Sequence, residues 1–370
     1  MKTRYTVYKS DISYFSGKLE AYLRYKGIVH KAVECGQREM KKIAQTTGVK
    51  KMPAVEMDNG QWLFDTTPML EWFEQQHPEP CTTPDDPALA FLALLIEDYG
   101  DEWLWRPAMW WRWVPRASRW AVGYAIGKAF APTLLARPLG WFFGHRQQRE
   151  WLWGDGVNRA NEATVRDMLF REFEFLERLL ARQPFLLGSH PSAADFGYFA
   201  SMFRHFGNDP DSAEVMRRQA PNTYEWLARL WNASADKLPK AIEWQWPETP
   251  EWQPLLKRIA ADYLPYLHQN ALAFQRGQKR FDFTGHSLAF QGTKTTNYRV
   301  YCRERLQQQY QQLTTADRDK LEQLFKPVGG LGSLQADGVI VSGLAESFIL
   351  PREAKSGRSS FKWIRSQPRN

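Results

Sequence analysis

Cysteine is scarce in this chain: Cys35, Cys81 and Cys302 are the only three in 370 residues, far apart and odd in number. A disulfide framework calls for even, closely spaced cysteines, and a zinc site for Cys-x-x-Cys or a comparable spacing. Neither pattern occurs, so no disulfide scaffold and no metal is expected. The chain also lacks any run of eighteen apolar residues, and its start, Met1 to Tyr5, has no signal-peptide stretch. The expected location is cytoplasmic. A charge excess is missing too over most of the length. The net charge is +8, but residues 251–370 hold 18 Lys and Arg against 10 Asp and Glu, which leaves 31 of each in the first 250. That distribution argues against a nucleic-acid surface. The excess gathers at Arg352, Lys355, Arg358, Lys362, Arg365 and Arg369, with Gly, Ser and Pro between them, so 351–370 reads as a solvated, flexible basic tail.

What the chain does have is room for two or three domains and one informative segment. Met52 and Pro53 open an apolar run to Met57, which reads as a strand reached through a rigid X-Pro peptide of the kind that can adopt cis. Such a bond would turn the backbone of Met52 outward and leave it unpaired. Asp58, Asn59 and Gly60 supply a hairpin turn and Gln61 to Phe64 returns as a second strand. Asp65, Thr66, Thr67 and Pro68 then read as a helix start. A free backbone edge next to a helix N-terminus can hold a small, extended, peptide-like anion.

The surrounding 80 residues fit one unit. Thr3 to Tyr8 and Val29 to Val33 are short β-rich runs, and Tyr14 to Gly27 carries helical spacing at Phe15, Leu19, Tyr22 and Leu23. The resulting order is βαβ-α-ββα. These residues resemble the thioredoxin-like domain of glutathione transferases. Ser13, Tyr14, Phe15, Ser16, Gly17 and Lys18 stand where that family has Ser-Pro-Phe-Ser-x-Arg; Lys51, Met52 and Pro53 match its Gln/Lys-Val-Pro, and Asp65 and Thr66 its Glu-Ser pair. Downstream, Phe185 to Phe196 (FLLGSHPSAADF) resembles the helix-capping segment of the family's all-helical second domain. The expected organisation is therefore a thioredoxin-like glutathione-binding domain over 1–80 and an all-α bundle over 85–250 with an insertion at 114–150. A small α+β extension over 251–350 and the tail follow.

The resemblance implies glutathione as cosubstrate, and the residues suggest how its thiol would be ionised. A thiol with a pKa near 8.5 is only about 3% thiolate at pH 7, and the thiolate is the nucleophile. A hydroxyl donated to it contributes about 1.5 to 3 kcal/mol, roughly one to two pKa units. Ser13 is the first choice for that hydroxyl and the phenol of Tyr14 the second; on residue type alone Ser13 is a helix N-cap and Tyr8 a core residue. A hydroxyl rather than a cysteine at position 13 favours conjugation over disulfide chemistry. Met52 would pair through its backbone with the cysteinyl part of glutathione. Asp65 and Thr66 would take the γ-glutamyl ammonium and carboxylate, and Lys50 or Lys51 the glycyl carboxylate. Asp65 and Thr66 are otherwise a plain helix cap.

Beyond residue 85 the pattern is helical. Ala88 to Trp113 is a long apolar run carrying Glu97, Asp98, Asp101 and Glu102, kinked or split near Pro107. Its Tyr99, Trp103, Arg106 and Trp110 recur at helical spacing and are the candidate electrophile pocket. A core stripe with Arg106 paired to Glu102 is the plainer reading. Val157 to Arg182 and Thr223 to Asn232 are further helices, and Ser192 with Asp195 forms a capping box assigned to folding. Trp120 to Gly144 is longer than a helix connection. It reads as a buried insertion or dimer surface, with an interfacial membrane element as the alternative. Val300 to Leu324 looks helical, Leu288 to Tyr301 has room for a strand or two, and Val339 to Leu350 has strand-like composition. The functional expectation is a homodimeric glutathione transferase acting on a hydrophobic or aromatic electrophile. The alternatives are a non-catalytic module that recruits a protein or membrane partner, and a glutathione-dependent lyase or dehalogenase.

Overall fold

The computed structural model describes residues 4–354. From residue 355 on, the expected basic tail lies outside the described residues. The first unit runs β1 (Tyr5–Lys9), α1 (Tyr14–Tyr25), β2 (His30–Glu34), α2 (Gln37–Thr47), β3 (Ala54–Met57), β4 (Trp62–Phe64) and α3 (Thr66–Gln76). Its sheet has the order β2-β1-β3-β4, with β1 parallel to β2 and antiparallel to β3. The register aligns Val7 with Val55 and Val55 with Leu63, all fully buried, because alternate residues of each strand share one face. Leu19, Tyr22 and Leu23 bring the apolar stripe of α1 onto that face. The expected βαβ-α-ββα order is present.

The helical part contains α4 (Pro87–Glu102), α5 (Trp105–Trp113), α6 (Arg116–Phe130), α7 (Thr133–Gln147), α8 (Glu162–Leu180), α9 (Ala193–Ser201), α10 (Pro210–Gln219) and α11 (Pro221–Trp231). The long apolar run does split, but at Trp103 and Leu104. Pro107 sits in the first turn of α5, where a missing N–H costs nothing. Asp195 accepts from the Ser192 N–H (3.0 Å), the Leu186 N–H (2.9 Å) and the Trp226 indole (3.2 Å), so the capping box ties three segments together. Residues 114–150 are a helical hairpin, α6 against α7, and only its inner face is buried. The expectation of a buried insertion therefore fails for the outer face.

The last third holds α12 (Gln253–Arg258), α13 (Leu264–Gln275), a hairpin of β5 (Arg280–Thr284) and β6 (Ala289–Lys294), α14 (Asn297–Gln312), α15 (Thr315–Phe325) and α16 (Gly332–Gln335). One expectation is corrected. Val339 to Leu350 forms no strand among the described residues. With no neighbouring strand to pair, its Ser342 is held by Glu304, whose Oε2 accepts from the Ser342 N–H (2.9 Å) and Oγ (2.6 Å). Residues 251–350 are the expected small α+β extension, and they pack into the common core. Leu255, Ile259, Tyr263 and Tyr266 belong to the same apolar core as Leu92, Tyr99, Trp103 and Leu176, and α14 and α15 lie against α4. The chain finally returns to the first unit, where the N–H and carbonyl of Arg352 pair with Trp62 on the outer edge of β4.

Candidate functional site

The strand register gathers the sequence-predicted residues at one end of the sheet. Tyr8 faces Ala54 and Ala54 faces Phe64, so the loop leaving β1 with Ser13, the Met52–Pro53 peptide entering β3, and Asp65 leaving β4 are neighbours. The Met52–Pro53 bond is cis. Among the described residues neither the N–H nor the carbonyl of Met52 takes a backbone partner, as expected of an outward-turned edge.

Asp65 departs from the plain-cap reading. It precedes α3 with φ 70° and ψ 120°, a left-handed conformation that a non-glycine residue holds only under tertiary constraint, and its carboxylate does not cap the helix. The first-turn N–H groups of α3 are therefore left without a side-chain partner, and buried Thr66 stands among them. The Asp65 carboxyl instead accepts from the Tyr298 phenol at 3.1 Å. Burial pushes the Asp65 carboxyl up, while the Lys51 ammonium and the Tyr298 hydrogen bond pull it down.

Tyr298 comes from α14, far from any residue marked by sequence motif. The exposed Lys51 ammonium lies 5.1 Å above its ring, and Phe348 packs edge-on against it. Arg305, about two turns further along the same face of α14, approaches Glu71 of α3 at 3.2 Å and Glu97 of α4 at 3.7 Å; its Nε and Nη2 have no hydrogen-bond partner among the described residues. The last third thus forms one wall of the site. Nothing in the local pattern of α14 marks it, because the contact joins segments distant in sequence.

The floor is a buried ion cluster. Lys18, fully buried, pairs with Glu97 at 2.6 Å and with Asp101, and the Thr67 hydroxyl donates to Glu97 at 3.1 Å. Burial alone would lower the Lys18 ammonium's pKa, but Asp101 and Glu97 hold it above its ordinary value. A paired charge this deep costs about 3 to 5 kcal/mol to break, so the cluster fixes α1, α3 and α4 relative to one another. Four carboxylates in an otherwise apolar helix were the available sequence signal.

Ser13 and Tyr14 have different surroundings. Ser13 is the N-cap of α1: its Oγ accepts from the Ser16 N–H at 3.3 Å, which leaves the hydroxyl proton available to another acceptor. The Tyr14 phenol is buried and donates to the Gly100 carbonyl, and burial raises its pKa well above the ordinary value. That placement corrects the second-choice role of Tyr14, because its donor is already engaged inside the core.

The candidate electrophile pocket is corrected as well. Tyr99 donates to Glu172 at 2.7 Å, and Trp103 packs against Tyr263, Tyr266, Phe283 and Phe290. Arg106 pairs with Asp155 at 3.0 Å, not with Glu102, and donates to Tyr266 at 2.6 Å. Trp110 donates to Glu162 at 3.0 Å. The last third covers the first three, so they form core and not a pocket wall. Trp105, which opens α5, is only partly buried: it stacks on Phe15 of α1, two residues from Ser13 (centroids 6.4 Å apart), and meets Trp151 edge-on (5.8 Å).

Residues 7–81 match the family model of the glutathione S-transferase N-terminal domain, and residues 155–229 that of the C-terminal domain. Both domains of the glutathione S-transferases are thus matched in family order, with the hairpin of α6 and α7 between the matched segments and the last third behind them. No curated protein matches it. Solved structures similar to it include a glutathione S-transferase from Rhodospirillum rubrum F11 (14% identity, 68% of this chain and 91% of that one, TM-score 0.40). Another is the beta-etherase LigF from Sphingobium sp. strain SYK-6 (20%, 61% and 94%, TM-score 0.42). A third is a glutathione S-transferase from Methylobacterium radiotolerans in complex with glutathione sulfonate (17%, 65% and 97%, TM-score 0.40).

Proposed function

We propose that the protein is a glutathione transferase in which Met52, Asp65 and Thr66 hold glutathione and Ser13 stabilises its thiolate. The observation that carries this reading is the uncapped N-terminus of α3 beside the unpaired Met52 backbone, with Asp65 held at φ 70° and its carboxylate turned away from the helix. Helix N–H groups and Thr66 would receive the γ-glutamyl carboxylate, Asp65 its ammonium, and the Met52 backbone the cysteinyl unit. Lys51 or Lys50 would meet the glycyl carboxylate. The thiol proton leaves to solvent, the Ser13 hydroxyl donates to the sulfur, and the sulfur lone pair forms a bond to an electrophilic carbon whose leaving group departs or whose π-electrons shift. Phe15, Trp105 and Trp151 offer the apolar surface for that electrophile. A lyase or dehalogenase would use the same thiolate.

Removing the hydroxyl without losing the cap is the direct test. Ser13→Gly costs the helix only a few tenths of a kcal/mol relative to serine. Its glutathione complex should show a thiol pKa higher by roughly one to two units in ultraviolet titration, and turnover of an activated aryl halide lower by about 10- to 100-fold. Unchanged values would reject Ser13.

A second reading, a binding module without turnover, is favoured by the hydrogen bond that Tyr298 already makes to Asp65. Calorimetric titration with glutathione separates the two: no heat and no rise in melting temperature would select the module. The homodimer is likewise a proposal. Because α14 and α15 cover one side of α4, it must use another surface, and light scattering on the full chain reads its mass.

A further inference from the structure

We infer that the hairpin of α6 and α7 is a docking surface for anionic phospholipid membranes. The two helices meet backbone to backbone. A Cβ on Gly127 would fall 1.8 Å from the Ala136 carbonyl oxygen, and one on Gly140 would fall 1.9 Å from that of Gly123. Contact this close leaves no room for a large side chain where the two backbones touch, and five bulky apolar residues of the hairpin face outward. Leu134 is 94% exposed, Trp141 69%, Leu135 57%, and Trp120 and Phe142 55% each. Soluble surfaces expose single large apolar residues routinely but seldom gather them on one element.

Charge says what covers this face. Residues 116–147 contain Arg116, Arg119, Lys128, Arg137 and Arg146 and no Asp or Glu, in a chain whose first 250 residues hold equal numbers of acidic and basic side chains. Lys128 lies 5.8 Å from the Tyr124 ring centroid and Arg146 5.6 Å from that of Phe143, so cations and aromatics share the same surface. Trp, Phe and Leu interleaved with Lys and Arg on a helical surface is the composition that sits at a headgroup boundary. No helix among the described residues is long and apolar enough to cross a membrane, so the contact is interfacial.

The base of the hairpin is fastened and its tip reaches the candidate site. Asp211 accepts from the Ser118 N–H (2.6 Å) and hydroxyl (2.8 Å), and the Trp113 indole donates to Gln147 at 3.0 Å. At the other end, Phe130 packs with the cluster of Cys35, Met40 and Ile43 that Met52 also joins. A hairpin resting on a bilayer would therefore bring the lipid surface close to the Met52 edge.

Vesicle flotation of the full chain tests this. The wild-type protein should float with phosphatidylcholine vesicles containing a quarter phosphatidylglycerol and not with pure phosphatidylcholine. Arg119→Gln/Lys128→Gln/Arg137→Gln should weaken partitioning about 100-fold, each charge near an anionic surface being equivalent to about fivefold. Leu134→Ser/Trp141→Ser/Phe142→Ser should abolish flotation with circular dichroism unchanged, since all three side chains are exposed. The inference is overturned if wild type floats with neither vesicle, or if both variants float as well as wild type, which would assign binding to Lys355, Arg358, Lys362, Arg365 and Arg369 at the chain's end. It is also overturned if the apolar variant halves the mass seen by light scattering while wild type ignores vesicles, which would make the face a contact between two copies.

Discussion

Two aromatic-rich segments lie next to each other in this chain and meet opposite fates. The stripe of Tyr99, Trp103 and Arg106 is buried under Arg258, Tyr263, Tyr266, Phe290 and Thr293 of the last third, with the Tyr99 hydroxyl and the Arg106 Nε and Nη2 each satisfied by a distant partner. The hairpin of α6 and α7, equally rich in Trp and Phe, is covered by nothing on its outer face among the described residues. Composition distinguishes the two by sign of charge: α4 brings four carboxylates, of which Glu97 meets Arg305 of α14, whereas the hairpin brings cations alone. An aromatic stripe becomes core when the chain supplies a complementary partner for it, and stays a surface when it does not.

The largest expected effect breaks the buried side of that comparison. Arg106→Leu removes one of the two arginines that hold Asp155, whose carboxyl burial would raise but Arg106 and Arg299 keep below the usual range. It should lower stability by about 3 to 5 kcal/mol in urea unfolding. Trp141→Ala on the hairpin should change it by less than about 0.5 kcal/mol. Comparable losses would mean that the hairpin face is buried in solution.

Asp65→Asn and Tyr298→Phe probe whether the last third helps the site or blocks it. Losing the carboxylate should weaken glutathione binding by roughly 10- to 100-fold in calorimetry, the range of a hydrogen bond to a charged group. Tyr298→Phe should weaken it about tenfold, because the phenol helps to keep Asp65 ionised against burial. Tighter binding by Tyr298→Phe would make the last third an obstruction.

A smaller effect concerns pH. Partial burial, then repulsion from Asp98, raises the Glu102 carboxyl to about 7, with Arg299 opposing. Between about pH 4.5 and 7 the folded chain holds a proton there that the unfolded chain has released, so this group makes stability fall as pH rises. Glu102→Gln should therefore raise the melting temperature relative to wild type at pH 8 and leave it nearly equal at pH 5. An equal difference at both pH values would reject the shifted carboxyl.

Much of the first unit was legible because its signals are local. β-rich runs marked β1 and β2, the proline-led apolar run marked β3, the turn at Asp58 to Gly60 marked the hairpin, and helical spacing marked α1. Met52, Asp65 and Thr66 were legible for the same reason, as a proline-led strand and a helix start. Their partner was not: Tyr298 stands 233 residues from Asp65, and its helix carries no motif. The electrophile-pocket assignment failed because helical spacing identifies a shared face but not what covers it.

The sequence by itself determined the order of strands and helices in the first unit and the capping box of Ser192 and Asp195. Periodicity, turn chemistry and caps act over a few residues and can be read over a few residues. Tertiary structure alone decided that the last third belongs to the common core, that Tyr298 meets Asp65, and that one aromatic segment is buried while the other faces outward. Those outcomes depend on which distant surfaces are complementary in shape and charge, and that is settled only when the chain has folded.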